Sequence, residues 1–192
     1  MQSSYEKTAL ILEKLGVLHT GHFRLTSGRH SDRYMQCAKL FEHPKESADI
    51  CASLADAFRS KGIDVVAGPA IGGIIMAYEV ARALGTRNLF AERESGKMTL
   101  RRGFSVNPGE RFLVVEDVVT TGGSVRELVQ LLRELGAEVV AVSAVVDRSN
   151  GKVDFGVPFH PLISMDVVSW EEADCPLCRE GVPIAKPGSR EV

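Results

Sequence analysis

The sequence is short of the features that would place it in a membrane or direct it to export. Its longest stretch without a charged residue covers 65–78, and this stretch contains Pro69 and several glycines. It falls below the roughly 20 apolar residues that span a bilayer. Residues 1–14 alternate polar and apolar side chains and lack the apolar core of a secretory signal. We therefore expect a cytoplasmic protein with no membrane partner.

The sequence also lacks an excess of charge of either sign. Its 23 Lys and Arg residues nearly balance its 25 Asp and Glu residues, so the formal net charge is −2. A dedicated nucleic-acid-binding protein usually carries a basic excess, because its cations displace the counterions of the phosphate backbone. We therefore expect no nucleic-acid partner. The hydrophobic content of 44% is typical of a folded globular chain and excludes a disordered one.

Cysteine is scarce, with four residues in the chain. Cys37 and Cys51 fit small buried side chains. Cys175 and Cys178 form a CxxC pair, which is half of a possible zinc site. Because no second CxxC pair is present and the five histidines show no ligand spacing, we expect instead an exposed, reduced pair in the C-terminal tail.

Short apolar strands alternate with amphipathic helices through most of the chain. This alternation predicts an α/β fold with a mainly parallel, doubly wound sheet, in which ligands bind at the carboxyl ends of strands. The predicted helices are 5–15, one from Pro44 to Gly62, 74–84 with Ile74, Ala77, Tyr78 and Ala81 buried, and one ending at Gly136; the predicted strands are 63–67, 88–91, 111–115, 138–146 and 162–168; residues 16–36 are expected to be irregular.

The glycine-rich turn at 67–73 follows the first predicted strand of this alternation. Glycines at such a place let backbone N–H groups converge on an anion just before a helix N-terminus, where the helix dipole favours negative charge. The turn is neither a P-loop nor a GxGxxG motif. An ordinary strand-to-helix turn is the alternative interpretation.

The turn within 114–124 combines two kinds of oxygen-bearing side chain. Glu116 and Asp117 are adjacent carboxylates after an apolar strand, where they are costly without partners. Carboxylates accept hydrogen bonds, and sugar hydroxyls or a hydrated cation supply them. The Thr-Thr-Gly-Gly-Ser run at 120–124 adds hydroxyls and amides at a helix start. Together these groups predict a pocket for a ribose 5-phosphate; a solvated strand end with a plain helix cap is the alternative.

Residues 116–124 resemble the phosphoribosyl-pyrophosphate (PRPP) motif of the type I phosphoribosyltransferases. The resemblance implies that family's fold, a mainly parallel central sheet flanked by helices with a small N-terminal hood. It also implies transfer of ribose 5-phosphate from PRPP to a base, with Mg²⁺ held through PRPP and water and with no direct protein ligand. The implied PRPP-binding residues are Ala70, Glu116, Asp117, Val118, Val119, Thr120, Thr121, Gly122, Gly123 and Ser124.

Two further segments resemble the orotate-specific members of this family. Residues 25–34 are similar to their N-terminal hood segment, and Asp147-Arg148 matches their Asp-Arg pair. The resemblance implies orotate as the base, held by Thr120, Arg148 and Ser27, and orotidine 5′-monophosphate and pyrophosphate as products in pyrimidine biosynthesis. An Arg fork suits the planar, anionic orotate better than a Lys point charge.

The basic segment 93–103 resembles the family's mobile catalytic loop, which enters the neighbouring subunit's site. The resemblance implies a homodimer that shares this loop, with Lys97, Arg93 and Asp117 as catalytic residues. Glu94 and Thr99 stand where many orotate enzymes have Lys and His, and Thr26 stands where many have Lys. A solvated hairpin is the alternative for any basic loop.

We expect one phosphoribosyltransferase domain over 1–192, with a hood at about 1–40 plus a C-terminal segment and a core at about 44–170. Three alternatives remain open. A purine-specific phosphoribosyltransferase would share the PRPP motif, and so would an RNA-binding regulator of the same fold. A phospho-acceptor signalling domain would use Asp117 but leaves the Thr-Thr-Gly-Gly-Ser run unexplained.

Overall fold

The computed structural model describes residues 4–25 and 27–186, so Thr26 lies outside the described residues. Five helices and nine strands occur in this part of the chain. The helices are α1 (Ser4–Lys14), α2 (Pro44–Ala55), α3 (Gly72–Leu84), α4 (Gly123–Glu134) and α5 (Pro176–Arg179); the strands are β1 (Leu18–Arg24), β2 (His30–Met35), β3 (Val65–Pro69), β4 (Arg87–Glu94), β5 (Lys97–Leu100), β6 (Arg111–Val119), β7 (Glu138–Asp147), β8 (Phe159–Ser164) and β9 (Ser169–Trp170).

The central sheet has six strands in the order β5-β4-β3-β6-β7-β8. Every neighbouring pair is parallel except β4 and β5, which are antiparallel. Strand β3 is buried along its whole length and β7 along most of it, as expected for strands covered on both faces. The predicted α/β architecture with a mainly parallel sheet is confirmed.

Helices cover both faces of this sheet and form two hydrophobic cores. Leu12 of α1, Leu54 of α2 and Val80 of α3 belong to one core. Leu128 and Leu132 of α4 belong to the other, because the 3.6-residue period puts them on one face of that helix. The sheet therefore has three helices on one side and one on the other.

Helix α3 differs from the predicted pattern of burial. Its buried apolar residues are Met76, Ala77, Val80 and Ala81, whereas the Tyr78 side chain is 57% exposed. The prediction that Tyr78 is buried is wrong. The packed stripe of α3 is narrow, and the helix leaves an apolar face uncovered within this chain.

A second sheet of three antiparallel strands, in the order β1-β2-β9, lies in the region expected to be irregular. The prediction for 16–36 is wrong, because β1 and β2 form a hairpin, and three of its buried residues are polar. His22, His30 and Ser31 are all buried. Their burial depends on partners far away in sequence, which an alternating apolar pattern does not reveal.

The C-terminal segment packs against this small sheet. The Arg24 N–H donates to the Ala185 carbonyl at 2.8 Å, and the Ala185 N–H donates to the His22 carbonyl at 2.8 Å. Cys175 is fully buried and only Cys178 is exposed. The expectation of an exposed cysteine pair without histidine neighbours is wrong, since both thiols lie beside His22 and His30.

Residues 93–103 belong mainly to a β-hairpin formed by β4 and β5. Glu94 pairs with Lys97 across the turn. Ser95 and Gly96 both have positive φ, 50° and 82°, which is the geometry of a type I′ turn between twisted strands.

Within the described residues, no helix is long and apolar enough to cross a membrane.

Candidate active site

A cavity of about 420 Å³ opens at the carboxyl ends of β3, β6 and β7. Asp117 and Thr120 line it from the end of β6, and Arg148 lines it from the end of β7. Gly72, at the start of α3, forms another wall. Since parallel strands end at one edge of a sheet, residues that are distant in sequence meet here, at the place where open α/β sheets bind ligands.

Glu116 and Asp117 lie inside β6, which extends to Val119 instead of ending at the predicted Val115. Burial, followed by the negative charge of Asp117, raises the pKa of the Glu116 carboxyl well above its ordinary value. The Asp117 N–H donates to Glu116 Oε1 at 3.2 Å, and the Val118 N–H donates to Asp117 Oδ1 at 2.8 Å. The Glu116 carboxyl therefore favours its protonated form in the free protein.

The first residue of α3, Gly72, packs directly against the Asp117 carboxylate. A Cβ atom added to Gly72 would lie 2.7 Å from Asp117 Oδ2, so only glycine permits this approach. The carboxylate thus lies at the N-terminal turn of a helix, where unpaired amides and the helix dipole favour a negative charge. The glycines of the 67–73 turn therefore allow close packing as well as a tight bend.

The residues from Thr120 to Ser124 form the loop between β6 and α4. Gly122 precedes α4 with φ +72°, and a Cβ there would lie 2.9 Å from Phe155, so this position requires glycine. Thr120 and Thr121 are exposed. The first amides of α4 have no acceptor inside the helix by position, so the loop offers donors and hydroxyls to a ligand.

Arg148, which lines this cavity, has an unsatisfied hydrogen-bond donor. Its Nε is buried and has no partner among the described residues. Burial lowers the pKa of the Arg148 guanidinium. The Arg148 backbone is fixed by its N–H, which donates to the Val119 carbonyl at 2.8 Å. A buried, unpaired guanidinium donor costs free energy, so the site is arranged for an acceptor that arrives with a ligand.

The hairpin cations are mostly neutralised within the chain. Arg93 pairs with Glu127 of α4 at 2.7 Å, and Arg102 makes two hydrogen bonds to Glu92, at 2.8 and 2.9 Å. Arg101 lies 3.4 Å from a Glu94 oxygen. Lys97 is exposed and has no ion-pair partner within 4–25 and 27–186. It is therefore the hairpin cation that stays available to an external anion.

The structure brings some of the predicted residues together and leaves others apart. Asp117, Val118, Thr120 and Arg148 share the cavity, and 121–124 continue directly from it. Six other predicted site residues do not line this cavity within the single chain: Ser27, Ala70, Arg93, Lys97, Glu116 and Val119. Ser27 is exposed in the β1–β2 turn, and the Ala70 amide is already donated to the Ala91 carbonyl at 2.8 Å.

One wall of the cavity could not be predicted from the sequence; it consists of the short 3₁₀ helix Cys37–Glu42 and the residue before it. Gln36, Cys37 and Phe41 line the cavity from this side. Burial, then the charge of Asp117, raises the pKa of the Cys37 thiol, which therefore remains protonated. No local motif marks these residues, because only the tertiary fold brings them to the carboxyl ends of the strands.

Residues 37–157 match the sequence profile of the family described as "Phosphoribosyl transferase domain". This range contains β3 to β7 and all the cavity residues contributed by β6 and the end of β7.

Two curated relatives and one solved structure show how far the similarity extends. Orotate phosphoribosyltransferase of Caldanaerobacter subterraneus subsp. tengcongensis is 58% identical over 187 residues, which cover 97% of this chain and 98% of that protein. The protein of the same name from Pelotomaculum thermopropionicum is 57% identical, with the same coverage. The crystal structure of orotate phosphoribosyltransferase from Aeropyrum pernix gives a TM-score of 0.69 at 25% identity, over 82% of this chain and 93% of that chain.

Proposed function

This chain belongs to the phosphoribosyl transferase family, and on that premise we propose that it transfers ribose 5-phosphate from PRPP to orotate. The products are orotidine 5′-monophosphate and pyrophosphate, in pyrimidine biosynthesis. The observation that carries this function is the cavity lined by Asp117, Thr120 and Arg148, a residue whose buried Nε has no hydrogen-bond partner among the described residues. Curated relatives at 57–58% identity over nearly the full chain, named orotate phosphoribosyltransferase, support the assignment.

The sugar-phosphate half of PRPP occupies the β6–α4 region. The loop Thr120–Ser124 binds the 5-phosphate through its hydroxyls and the amides at the start of α4. The carboxyls of Glu116 and Asp117 accept hydrogen bonds from the ribose hydroxyls. Val118 and Val119 join these two groups and supply backbone atoms only. Ala70 lies in the neighbouring turn and contacts the other end of PRPP.

Orotate binds on the Arg148 side of the cavity. Orotate is a planar anion with several acceptor oxygens, and the guanidinium of Arg148 has a buried N–H without a hydrogen-bond acceptor. Thr120 contributes its hydroxyl from the facing loop. Ser27 reaches the base only if the β1–β2 turn closes over the cavity, because it is exposed in the present conformation.

Mg²⁺ is held through PRPP and water. The only cluster of three or more His, Cys, Asp or Glu ligands in the described part of the chain lies elsewhere, in the small sheet. Asp117 and Thr120 offer a carboxylate and a hydroxyl to the cavity, and oxygen atoms of this kind suit a hydrated hard cation bound mainly by phosphates. When bound, Mg²⁺ supplies positive charge to the leaving pyrophosphate.

The reaction is a displacement at the anomeric carbon of the ribose. An orotate nitrogen attacks, and the bond to pyrophosphate breaks. Positive charge builds on the ribose ring near Asp117, and negative charge builds on the departing phosphates. Lys97 donates hydrogen bonds to these phosphates as the charge develops, and Arg93 joins it by exchanging its Glu127 partner for a phosphate oxygen. Preorganised donors of this kind typically contribute about 10²–10³-fold in rate.

The chain acts as a homodimer that shares segment 93–103 between subunits. Lys97 does not line the cavity of its own chain, so it serves the cavity of a second copy of the chain. An exposed apolar stripe at helical spacing consists of Ile71, Ile75 and Tyr78, with 83%, 47% and 57% of their surfaces exposed. Ile71 and Ile75 also line the cavity, so the stripe begins at its edge. Exposed stripes of this type commonly mark protein interfaces.

The whole chain functions as one domain in which the small sheet serves as the hood. Strands β1 and β2 lie within 1–40, and β9 together with the tail to residue 186 supplies the C-terminal part. Gln36 and Ala38 line both the catalytic cavity and a second cavity of about 540 Å³ beside Phe23 and Tyr34. The hood therefore borders the base-binding side.

The test is loss of the orotate absorbance when purified chain receives orotate, PRPP and Mg²⁺. We expect absorbance to fall only when all three are present, with one pyrophosphate released per orotate consumed. Adenine, guanine, uracil and xanthine serve as competing acceptors. Turnover of a purine in place of orotate would replace this function with the purine-specific alternative, and no turnover of any base would refute transferase activity.

A further inference from the structure

Four potential metal ligands converge in the small sheet, away from the proposed catalytic cavity. They are His22 of β1, His30 of β2, Cys175, which immediately precedes α5, and Cys178 within α5. One ligand atom from each side chain lies within 4.8 Å of the other three. The four residues do not belong to the lining of the cavity that holds Asp117 and Arg148.

Three of these side chains are withdrawn from solvent. His22 is 4% exposed, His30 is 3% exposed and Cys175 is fully buried. Two buried imidazoles beside two thiols place several electron-pair donors within contact distance of one another. Such a cluster is unusual in a core unless its members share a ligand.

The distances match those around a tetrahedral zinc ion. With Zn–N near 2.0–2.1 Å and Zn–S near 2.3 Å, tetrahedral geometry requires about 3.3 Å between two nitrogens and about 3.5 Å between nitrogen and sulfur. His22 Nε2 lies 3.1 Å from His30 Nδ1. Cys178 Sγ lies 3.2 Å from His30 Nδ1, and His22 Nε2 lies 3.5 and 3.7 Å from the Sγ atoms of Cys175 and Cys178.

A neighbouring carbonyl fixes the orientation of one histidine. His22 Nδ1 lies 2.8 Å from the Val182 oxygen, which can only accept a hydrogen bond. Nδ1 therefore carries the proton, and the lone pair of a neutral His22 lies on Nε2, toward the other three ligands. A backbone carbonyl in this position is the usual outer partner of a metal-binding imidazole.

We propose that His22, His30, Cys175 and Cys178 bind one Zn²⁺ ion in a closed structural site. The CxxC pair supplies two thiolates and the hairpin supplies two neutral imidazoles, so the charges of ion and ligands cancel. Each thiol proton leaves to solvent when its sulfur binds. Four protein ligands leave no position for a substrate, as in structural and not catalytic zinc sites.

A tetrahedral set of two cysteine sulfurs and two histidine nitrogens favours zinc over the Mg²⁺ that accompanies PRPP in the catalytic cavity. Mg²⁺ and Ca²⁺ prefer oxygen ligands, whereas mixed thiolate and imidazole sites suit zinc. The site also has a structural task. It would fasten the tail after β9 to the β1–β2 hairpin, to which the tail is also joined by the Ala185 backbone bonds and by the hydrogen bond between His22 and the Val182 carbonyl.

Metal analysis of the purified full-length chain tests the ligand set. We expect one zinc per chain in the parent, and a loss of about tenfold or more in zinc content for Cys178→Ser and for His30→Asn. Cys51→Ala removes a buried thiol far from the cluster, and His160→Asn removes an exposed imidazole; both controls should keep the parent's zinc. Zinc content unchanged by the ligand variants would overturn the site.

Because a ligand variant can fail to fold, the parent chain provides an independent test. Stripping zinc with a chelator should lower Tm by about 5–10 °C, and adding Zn²⁺ should restore it. Cobalt added to the stripped chain should give the intense visible bands of tetrahedral thiolate coordination.

Freely titratable thiols with no bound metal, iron in place of zinc, or a Cys175–Cys178 disulfide in reduced preparations would each overturn the proposal. None of these readouts uses transferase activity, so they stand apart from the test of function.

Discussion

The Glu116 carboxyl shows how a single buried group ties stability to pH. Its pKa is raised by burial and by Asp117, so its native pKa lies above its unfolded value of about 4.3. Between these two values the folded chain binds more protons than the unfolded chain. The free energy of unfolding therefore loses a contribution as pH rises through this interval.

Glu116→Gln should remove the part of the fall in unfolding free energy with rising pH that Glu116 causes. We expect the variant to gain stability relative to the parent as the pH increases, because a neutral amide needs no proton to remain buried. Urea denaturation at about pH 5.5 and at about pH 8.5 measures the change, since both lie above the ordinary carboxyl pKa. Glu13→Gln, an exposed residue of α1, is the matched control. A constant difference between variant and parent at the two pH values would contradict the raised pKa.

Arg148 provides a second test at the scale of one residue. Hydrogen bonds to charged groups contribute about 1.5–3 kcal/mol, so Arg148→Ala should raise the KM for orotate about 10–100-fold and leave the KM for PRPP nearly unchanged. Arg148→Lys keeps the charge but not the planar fork, and should recover only part of the loss. Steady-state kinetics with each substrate varied measure both effects. An unchanged KM for orotate in Arg148→Ala would remove the residue from the base site.

Among the elements, the β4–β5 hairpin is unusual in how its charges are arranged. Three arginines are paired with glutamates, and Lys97 has no such partner in the described structure. The Lys97 ammonium follows the Ser95–Gly96 turn and is left without an ion-pair partner there. A hairpin with one available cation suits an electrostatic role in the transition state.

Lys97→Ala should therefore lower kcat more than it changes the KM for orotate. The expected loss is about 10²–10³-fold, as for other preorganised donors to a developing anion. The fold should survive because the side chain is exposed, and circular dichroism checks this. Lys61→Ala removes another exposed lysine and serves as the control. Equal turnover in the variant and the parent would exclude Lys97 from the chemistry.

Elements with local signals could be predicted from the sequence. The strand–loop–helix from β6 to α4 combines an apolar run with Leu128 and Leu132 at helical spacing, so neighbours in sequence decide its structure. The end of β6 could not be predicted, because pairing with β7 continues as far as Val119 opposite Asp147. A strand's length here depends on its partner strand and not on its own apolar residues.

The small sheet could not be predicted for a related reason. Its buried residues include His22 and His30, which look like surface residues in an alternating pattern. Their partners Cys175 and Cys178 lie about 150 residues later, so no window along the chain contains the cluster. The acidic pair and the Thr/Gly loop of the candidate site were visible because they are contiguous, whereas Gln36 and Phe41 reach it only through the tertiary fold.

At the scale of the whole molecule, the separation of Lys97 from the cavity of its own chain decides how the activity should depend on assembly. In a two-fold dimer each site would combine Asp117 of one subunit with Lys97 of the other. The exposed stripe of Ile71, Ile75 and Tyr78 beside the cavity supplies the apolar surface for such an interface. Neither subunit would then be complete alone.

Mixing two inactive variants tests this arrangement. A Lys97→Ala chain and an Asp117→Asn chain should regain activity after subunit exchange, because each heterodimer contains one site with both native residues. Random exchange makes half of the dimers mixed, and half of their sites intact, so the mixture should reach about a quarter of the parent's activity. A Lys97→Ala chain mixed with the Lys97→Ala/Asp117→Asn double variant is the control, and it has no intact site in any combination. Recovery no greater than this control, under conditions where exchange is demonstrated, would mean that each chain uses its own Lys97.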